Sequence, residues 1–205
     1  MIDNKYNYPN FNPQIGNLTV KFRNEFIQQY IDQGILNDSA FSDKKISGLL
    51  ASNNPKDEIY FWQLYSIIGS DPIHILIKKF YENVFNDYEA PWFRDEFMEI
   101  GSIDFHVKGQ KKFWLDVMGG GKHYEGGEKK LNMKHKLVDN IMTKEGAERW
   151  MFNMEKTMLQ LNLHFIHDRR ILPCIDKFLK FFMKKYSIEF DFNLYEIVSK
   201  SKSNL

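Results

Sequence analysis

Apolar side chains recur every three to four positions over long stretches of this chain, which is the spacing of one face of an α-helix. The widest such face follows Lys144 and consists of Ala147, Trp150, Met151, Met154, Met158 and Leu161. Three further stretches with this spacing are centred near Phe80, Phe113 and Phe178. No stretch shows the apolar and polar alternation typical of a half-buried strand. We therefore predict an all-α fold.

Turn residues predict where the helices begin and end. Asp71-Pro72 favours an N-cap followed by a proline at the first helical position, and Gly34 favours the end of a helix near the N-terminus. The run Gly119-Gly120-Gly121 predicts the end of the helix that carries Phe113. We divide the chain into an N-terminal extension with one helix (1–55), a main domain (56–190) and a C-terminal tail (191–205).

Composition excludes several classes of protein. The chain has 205 residues, with 28 Lys and Arg against 27 Asp and Glu, so it is not a globally basic nucleic-acid binder. Its one cysteine, Cys174, excludes a disulfide framework and a multi-cysteine zinc site. No apolar run approaches the roughly 18 to 20 residues that span a bilayer. The first ten residues lack the basic start and apolar core of a signal peptide, so we expect an intracellular protein, either cytoplasmic or mitochondrial.

A set of hydrogen-bond donors and one histidine suggest a binding site. Tyr81, His106, Gln110 and Trp150 fall on predicted apolar helices, and His135 follows a glycine-rich irregular segment. A haem needs one imidazole on its iron, a slot of aromatic and aliphatic side chains, and a few donors on the opposite side. Unrelated core and surface positions would explain the same residues, and their spacing alone leaves both interpretations open.

A series of motifs runs in order between Tyr60 and Leu161. They are Leu64-Tyr65-Ser66-Ile67-Ile68-Gly69, Phe80-Tyr81-Glu82-Asn83-Val84, Trp92-Phe93 with Phe97, Phe113-Trp114 before Met118-Gly119-Gly120, Tyr124 with His135 eleven residues later, and Ala147-Glu148-Arg149-Trp150-Met151. This order resembles the truncated (2-on-2) haemoglobins, most of all group II. It departs from them at Gly121, where a proline is usual, and at Lys134, where an arginine is common. The resemblance implies a globin-like, 2-on-2 helical sandwich, here preceded by a helical extension.

The resemblance also implies a cofactor and the residues around it. The cofactor is haem b, with His135 as the iron ligand. The side chains implied to contact the haem are Phe97, Phe113, Trp114, Met118, Tyr124 and Lys134. Those implied to face a diatomic gas on the distal side are Tyr81, His106, Gln110 and Trp150. The resemblance assigns no catalytic residue.

Two functions follow from this resemblance. A distal side with several donors, each contributing about 1.5 to 3 kcal/mol to a charge-assisted hydrogen bond, holds dioxygen or nitric oxide too tightly for bulk transport. It suits gas binding, sensing or nitric-oxide detoxification, with nitric-oxide dioxygenase or peroxidase-like activity as the enzymatic forms.

The alternative is a globin-like accessory or structural subunit of a larger complex, for example in mitochondria, in which haem is lost or not essential. Protein partners would then bind through residues 1–55 and the C-terminal tail.

Overall fold

The computed structural model describes residues 28–29, 31–34, 59–61, 64–65, 69–118, 124, 138, 140–161, 171–189, 191–193 and 196. Within them, the helices are α1 (Ser70–Phe85), α2 (Pro91–Ile100), α3 (Ile103–Val117), α4 (Lys144–Gln160) and α5 (Ile171–Glu189). The described part of the chain contains no strand, so the predicted all-α class is confirmed. None of these helices is both long enough and apolar enough to cross a membrane.

The first helix begins earlier than the sequence pattern predicts. Gly69 is the residue before α1, with a φ of +71°, a backbone conformation that side-chain-bearing residues rarely adopt. The prediction that Asp71 caps the helix is therefore wrong. Asp71 lies inside the first turn, where a carboxylate still interacts favourably with the helix dipole, and Pro72 follows at a position whose N–H needs no intrahelical partner.

Hydroxyl side chains begin two other helices. The Ser102 Oγ accepts a hydrogen bond from the Phe105 N–H at 3.3 Å before α3, and the Thr143 Oγ1 accepts one from the Gly146 N–H at 3.1 Å before α4. The predicted start of a helix near Lys144 is confirmed. Such caps satisfy backbone donors that have no partner within the helix.

Of the two helix ends predicted from glycines, the structure describes the one at Gly34. Gly34 has a φ of +70° and its N–H donates to the Ile31 carbonyl at 2.9 Å, as expected for a glycine that ends a helical turn. Helix α3 ends at Val117, followed by Met118. The glycines 119–121, predicted to terminate this helix, lie outside the described residues.

Helix α2 is not evident from apolar periodicity. It buries only Phe93 and Phe97, while Trp92, Met98 and Ile100 are exposed on other sides. Apolar residues therefore surround this short helix instead of forming one stripe, and the helical period is hidden. Its first residue is Pro91, which is well suited to that position.

Helix α1 is central to the packing, because it contacts α2, α3 and α4. Leu76, Ile77 and Phe80 are fully buried in one apolar cluster that extends to α5. There the Phe178 ring packs edge to face against both Phe61 and Trp114, with centroids 5.2 Å apart in each pair. These contacts hold the helices around the site described below.

A row of polar side chains, most of them buried, joins α1 and the turn after it to α4 and is here called the polar seam. It consists of Asn83, Asp87, Arg149, Asn153, Thr157 and Gln160. The Asn83 Nδ2 donates to the Thr157 Oγ1 at 2.9 Å and to the Gln160 Oε1 at 3.0 Å. The Asn153 Nδ2 donates to the Asp87 Oδ2 at 2.8 Å. The seam thus satisfies polar groups that would otherwise oppose burial.

The charged end of the seam is a two-pronged contact between Arg149 and Asp87. The Arg149 Nε donates to the Asp87 Oδ2 at 2.6 Å, the Nη2 donates to the Asp87 Oδ1, and the Nη2 also reaches the Glu89 Oε2 at 3.0 Å. Burial of Asp87 disfavours its charge, but the hydrogen bonds from Arg149 and Asn153 and the arginine charge outweigh this and hold the pKa of Asp87 below its usual value. The carboxylate is therefore ionised at neutral pH.

Candidate ligand-binding cavity

A cavity of about 970 Å³ lies among the helices, and all five described helices contribute to its wall. Its size is near the upper end of the range of roughly 300 to 1,000 Å³ that is usual for small-molecule and cofactor pockets. Its lining is mainly aromatic and aliphatic. The residues from α1, α2 and α5 are Tyr81, Phe93, Phe97, Ile100, Leu179, Phe182, Met183 and Tyr186.

Most residues predicted for the site share this one cavity. Those that line it are Tyr81, Phe97, His106, Gln110, Phe113, Trp114, Tyr124 and Trp150. Met118 does not: it is fully buried, and its carbonyl accepts a hydrogen bond from the Tyr65 N–H at 2.9 Å. Lys134 and the predicted iron ligand His135 lie outside the described residues. The structure thus brings together side chains that are up to 69 positions apart in the sequence.

Tyr81 is one of the polar residues in the cavity wall. Its side chain is buried, and burial raises the pKa of the phenol well above its usual value. The hydroxyl is consequently neutral at physiological pH and retains its hydrogen. Phe80 packs edge to face on the Tyr81 ring at 5.1 Å, and the Phe97 ring lies 6.0 Å away. The two phenylalanine rings thus surround the Tyr81 phenol with apolar groups.

His106 is held against the end of α2. Its Nε2 lies 2.8 Å from the Phe97 carbonyl oxygen, and because a carbonyl only accepts, this nitrogen carries a hydrogen and donates it. The same carbonyl is 3.3 Å from the Gly101 N–H. The imidazole also stacks on the Tyr81 ring at a centroid distance of 4.9 Å. The predicted distal histidine therefore orients Tyr81 and ties α3 to α2.

Gln110 stands one turn after His106 and also lines the cavity. Its Oε1 is buried and has no hydrogen-bond partner among the described residues. An unsatisfied buried polar atom costs about 1 to 3 kcal/mol, so it favours a site that acquires a partner when something binds. Since an amide oxygen and its NH₂ exchange places by a half-turn, Gln110 is suited to meet either a donor or an acceptor.

One side of the cavity is formed by the start of α4, through Thr143, Gly146, Ala147 and Trp150. A Cβ placed on Gly146 would lie 1.9 Å from the Ile141 carbonyl oxygen, so only glycine fits there. The Trp150 ring packs on Phe80 at 5.2 Å. Sequence reasoning missed Gly146. The feature of the sequence that could have identified it is a glycine just inside a helix, at the beginning of the apolar face that Ala147 and Trp150 share.

Tyr124 is placed by a buried carboxylate. The Asp116 Oδ2 accepts a hydrogen bond from the Tyr124 N–H at 2.7 Å, and the Tyr124 ring packs edge to face on Phe113 at 5.5 Å. Asp116 is 5% exposed, although aspartate is rarely so buried. An aspartate within the apolar sequence Phe113-Trp114-Leu115-Asp116-Val117 was the available signal, and it was not used in the prediction.

Other lining residues escaped prediction because periodicity shows which face of a helix is buried but not what it faces. They are Phe93, Ile100, Phe105, Lys108, Gly109, Lys112, Val138, Ile141, Met142, Thr143, Ala147, Leu179, Phe182, Met183, Tyr186 and Phe192. Lys108 and Lys112 bring positive charge to a mainly apolar boundary. Within the described ranges, no three His, Cys, Asp or Glu side chains group in a way that would hold a metal ion.

Comparison with known proteins identifies the family. The model of the family described as bacterial-like globin matches residues 63–184, which is more than half of the chain and includes α1 to α4 and most of α5. No curated protein and no solved structure matched. The matched range lies within the predicted main domain, 56–190. The chain therefore belongs to the bacterial-like globin family, and its all-α fold is globin-like.

Proposed function

We propose that this chain is a haem-binding globin of the truncated 2-on-2, group II type, which binds dioxygen or nitric oxide. The observation that carries the proposal is the convergence of Tyr81, His106, Gln110 and Trp150 on one aromatic cavity. Membership in the bacterial-like globin family supports it independently. The finer assignment to group II depends on the motif order, including the tryptophan at position 150.

The residues around the cavity fit a flat, mainly apolar cofactor with acidic edges. Phe97, Phe113 and Trp114 supply the aromatic slot, and Lys108 and Lys112 supply cations at its boundary. The buried Gln110 Oε1, which has no hydrogen-bond partner among the residues that the structure describes, is a polar atom available to a bound molecule. We assign His135 as the iron ligand and Lys134 as a partner of a haem carboxylate. When bound, haem supplies an iron atom that takes a diatomic gas as a ligand.

The chain's own residues would determine how strongly that gas is held. Tyr81, with its neutral hydroxyl, and Trp150, with its ring N–H, are donor residues in the wall of a mainly apolar cavity, where hydrogen bonds are little weakened by water. His106 orients the Tyr81 ring, because its Nε2 is engaged with the Phe97 carbonyl. Each donor adds about 1.5 to 3 kcal/mol when its acceptor is charged. This favours sensing, nitric-oxide detoxification or peroxidase-like chemistry over bulk transport.

Absorption spectroscopy tests the cofactor. The full chain, supplied with haem and reduced, is expected to show a sharp Soret band that shifts when carbon monoxide is added. His135→Ala should abolish stoichiometric haem binding, whereas His74→Ala, on α1 and not at the cavity, should bind like the unchanged chain. Absence of any Soret band in the unchanged chain would refute the cofactor, and normal binding by His135→Ala would refute the axial ligand alone.

A second candidate function is that of a globin-like accessory subunit. It is supported by large apolar side chains that stand exposed on and near α2, with Tyr88 74%, Trp92 46% and Phe105 55% accessible. Exposed apolar groups that lie together mark protein interaction surfaces. Recovery of the chain in a stable complex that has the same composition with and without haem would favour this candidate. Residues 1–55 and 191–205 remain the proposed partner-binding segments.

A further inference from the structure

The chain turns back towards the cavity after α5. The described residues of this segment, Asp191, Phe192, Asn193 and Glu196, are here called the C-terminal strap. Asp191 has a φ of +52°, as is typical of a turn residue, and the Phe192 N–H donates to the Ser187 carbonyl at 3.0 Å. The family match ends at residue 184, so the strap lies outside the matched part of the chain.

Phe192 forms part of the cavity wall. Its ring packs beside the buried Met151 of α4 and Met183 of α5, together with Ala147 and Trp150. Met183, Ala147 and Trp150 line the same cavity. Phe192 thus contacts both helices at the cavity wall, and it does so from beyond the end of the family match.

An exposed ion pair ties the strap to the beginning of α4. The Glu196 Oε2 lies 3.0 Å from the Lys144 Nζ, and the Glu196 Oε1 accepts a hydrogen bond from the Asn193 Nδ2 at 3.1 Å. Lys144 directly follows Thr143, which caps α4 and lines the cavity. Since the side chains of Lys144 and Glu196 are 41% and 51% exposed, salt screens their attraction.

We propose that Phe192 closes one end of the cavity and that the Lys144–Glu196 ion pair controls how much of the time this end is closed. Phe192 is then a specificity-determining residue. With the strap in place, the cavity excludes bulky molecules at this end. With the strap released, the part of the cavity beside Met183 accepts an apolar molecule, because a thioether and aromatic rings line it. The proposal rests on the cavity wall and holds whatever occupies the cavity.

The labelling rate of a thiol placed under Phe192 measures this opening. In a Met183→Cys chain, iodoacetamide should react slowly at position 183, which is 5% exposed. Adding Phe192→Ala should raise that rate at least tenfold. Lys144→Glu or Glu196→Lys should each raise it roughly two- to fivefold, as expected for loss of an exposed ion pair, and the two charge reversals together should restore the original rate. Added salt should accelerate labelling of the chain with Phe192 but not of the Phe192→Ala chain.

The native Cys174 provides an internal control. It is 1% exposed on the same helix and does not line the cavity, so its labelling reports opening of the whole fold. Phe181→Ala, which removes a partly buried ring outside the cavity, and Glu82→Gln, which removes the exposed Lys79–Glu82 pair, should leave position 183 unchanged. Equal acceleration at positions 174 and 183, or no acceleration in Phe192→Ala, would overturn the proposal.

Discussion

The imidazole of His106 lies over the phenol ring of Tyr81, with their centroids 4.9 Å apart and their planes inclined by 23°. The histidine is itself held, since its Nε2 donates to the Phe97 carbonyl at 2.8 Å. Tyr81 therefore packs against a ring that is fixed by a hydrogen bond to another helix. The position of its ring and phenol oxygen is set before any ligand enters, which reduces the ordering that binding would otherwise require.

Substitutions of His106 separate the hydrogen bond from the stack. His106→Phe keeps a ring near Tyr81 but loses the donor, and the Phe97 carbonyl retains the Gly101 N–H, so we expect a loss of about 1 kcal/mol in the free energy of unfolding. His106→Ala removes the ring as well and should cost about 2 to 4 kcal/mol in total. Urea unfolding measures both. Equal losses would show that the stack contributes nothing.

Alkaline pH should destabilise the fold through Tyr81. Because burial raises the pKa of this phenol, the folded chain keeps its proton at pH values where the unfolded chain, with a tyrosine pKa near 10, releases it. Stability is therefore unaffected below about pH 10 and falls as the pH rises beyond it. Unfolding free energies between pH 8 and 11 should decline less steeply in Tyr81→Phe. If the stability of the unchanged chain and of Tyr81→Phe fell in parallel with pH, Tyr81 would not be the group responsible.

Loss of the Tyr81 hydroxyl should also accelerate gas release from the haem-loaded chain. Removing one charge-assisted hydrogen bond raises the dissociation rate of dioxygen about ten- to a hundredfold, at 1.4 kcal/mol per decade. Stopped-flow displacement of dioxygen by carbon monoxide measures this rate in Tyr81→Phe. Tyr65→Phe serves as the control, because Tyr65 is half-buried and does not line the cavity. An unchanged rate would remove Tyr81 from the gas-binding side.

Acid should weaken the charged end of the polar seam. The lowered pKa of Asp87 stabilises the fold above the carboxyl's ordinary value near 4, and this contribution is lost as the pH falls below it. Asp87→Asn should flatten the decline in stability between pH 5 and 3. Arg149→Ala leaves a buried carboxylate without its cation and should cost about 3 kcal/mol at pH 7. Lys79→Ala, which removes an exposed pair with Glu82, should change little.

Two glycines should respond oppositely to the same substitution. Gly146→Ala would bring a methyl group against the Ile141 carbonyl, and we expect the free energy of unfolding to fall by about 1 to 3 kcal/mol. A Cβ on Gly109 would meet no atom of the described residues within 4 Å, so Gly109→Ala should stabilise α3 by about 0.5 to 1 kcal/mol through the higher helix propensity of alanine. Thermal unfolding of both variants tests the comparison. Higher thermal stability in Gly146→Ala would show that the first turn of α4 shifts to make room for the methyl group.

The sequence predicts those parts of the fold that depend on local periodicity. The spacing of His106, Gln110 and Phe113 correctly indicates one helix and one face, and the apolar run after Lys144 correctly indicates α4. Periodicity cannot indicate which distant polar group a side chain meets. Arg149 and Asp87 are 62 positions apart, so their contact depends on the packing of α1 against α4. Phe192 escaped prediction for the same reason, because its role arises from a chain reversal beyond the last helix.

The polar seam has a consequence for the register of the two helices that it joins. An apolar interface would tolerate a slide of one helical turn, but a slide of about 5.4 Å would separate Asn83 from Thr157 and leave a buried amide unsatisfied. Only one alignment of α1 with α4 is therefore compatible with the fold. Tyr81 and Trp150 are carried on those same helices, so the spacing between these two parts of the cavity wall is dictated by side chains that line none of it.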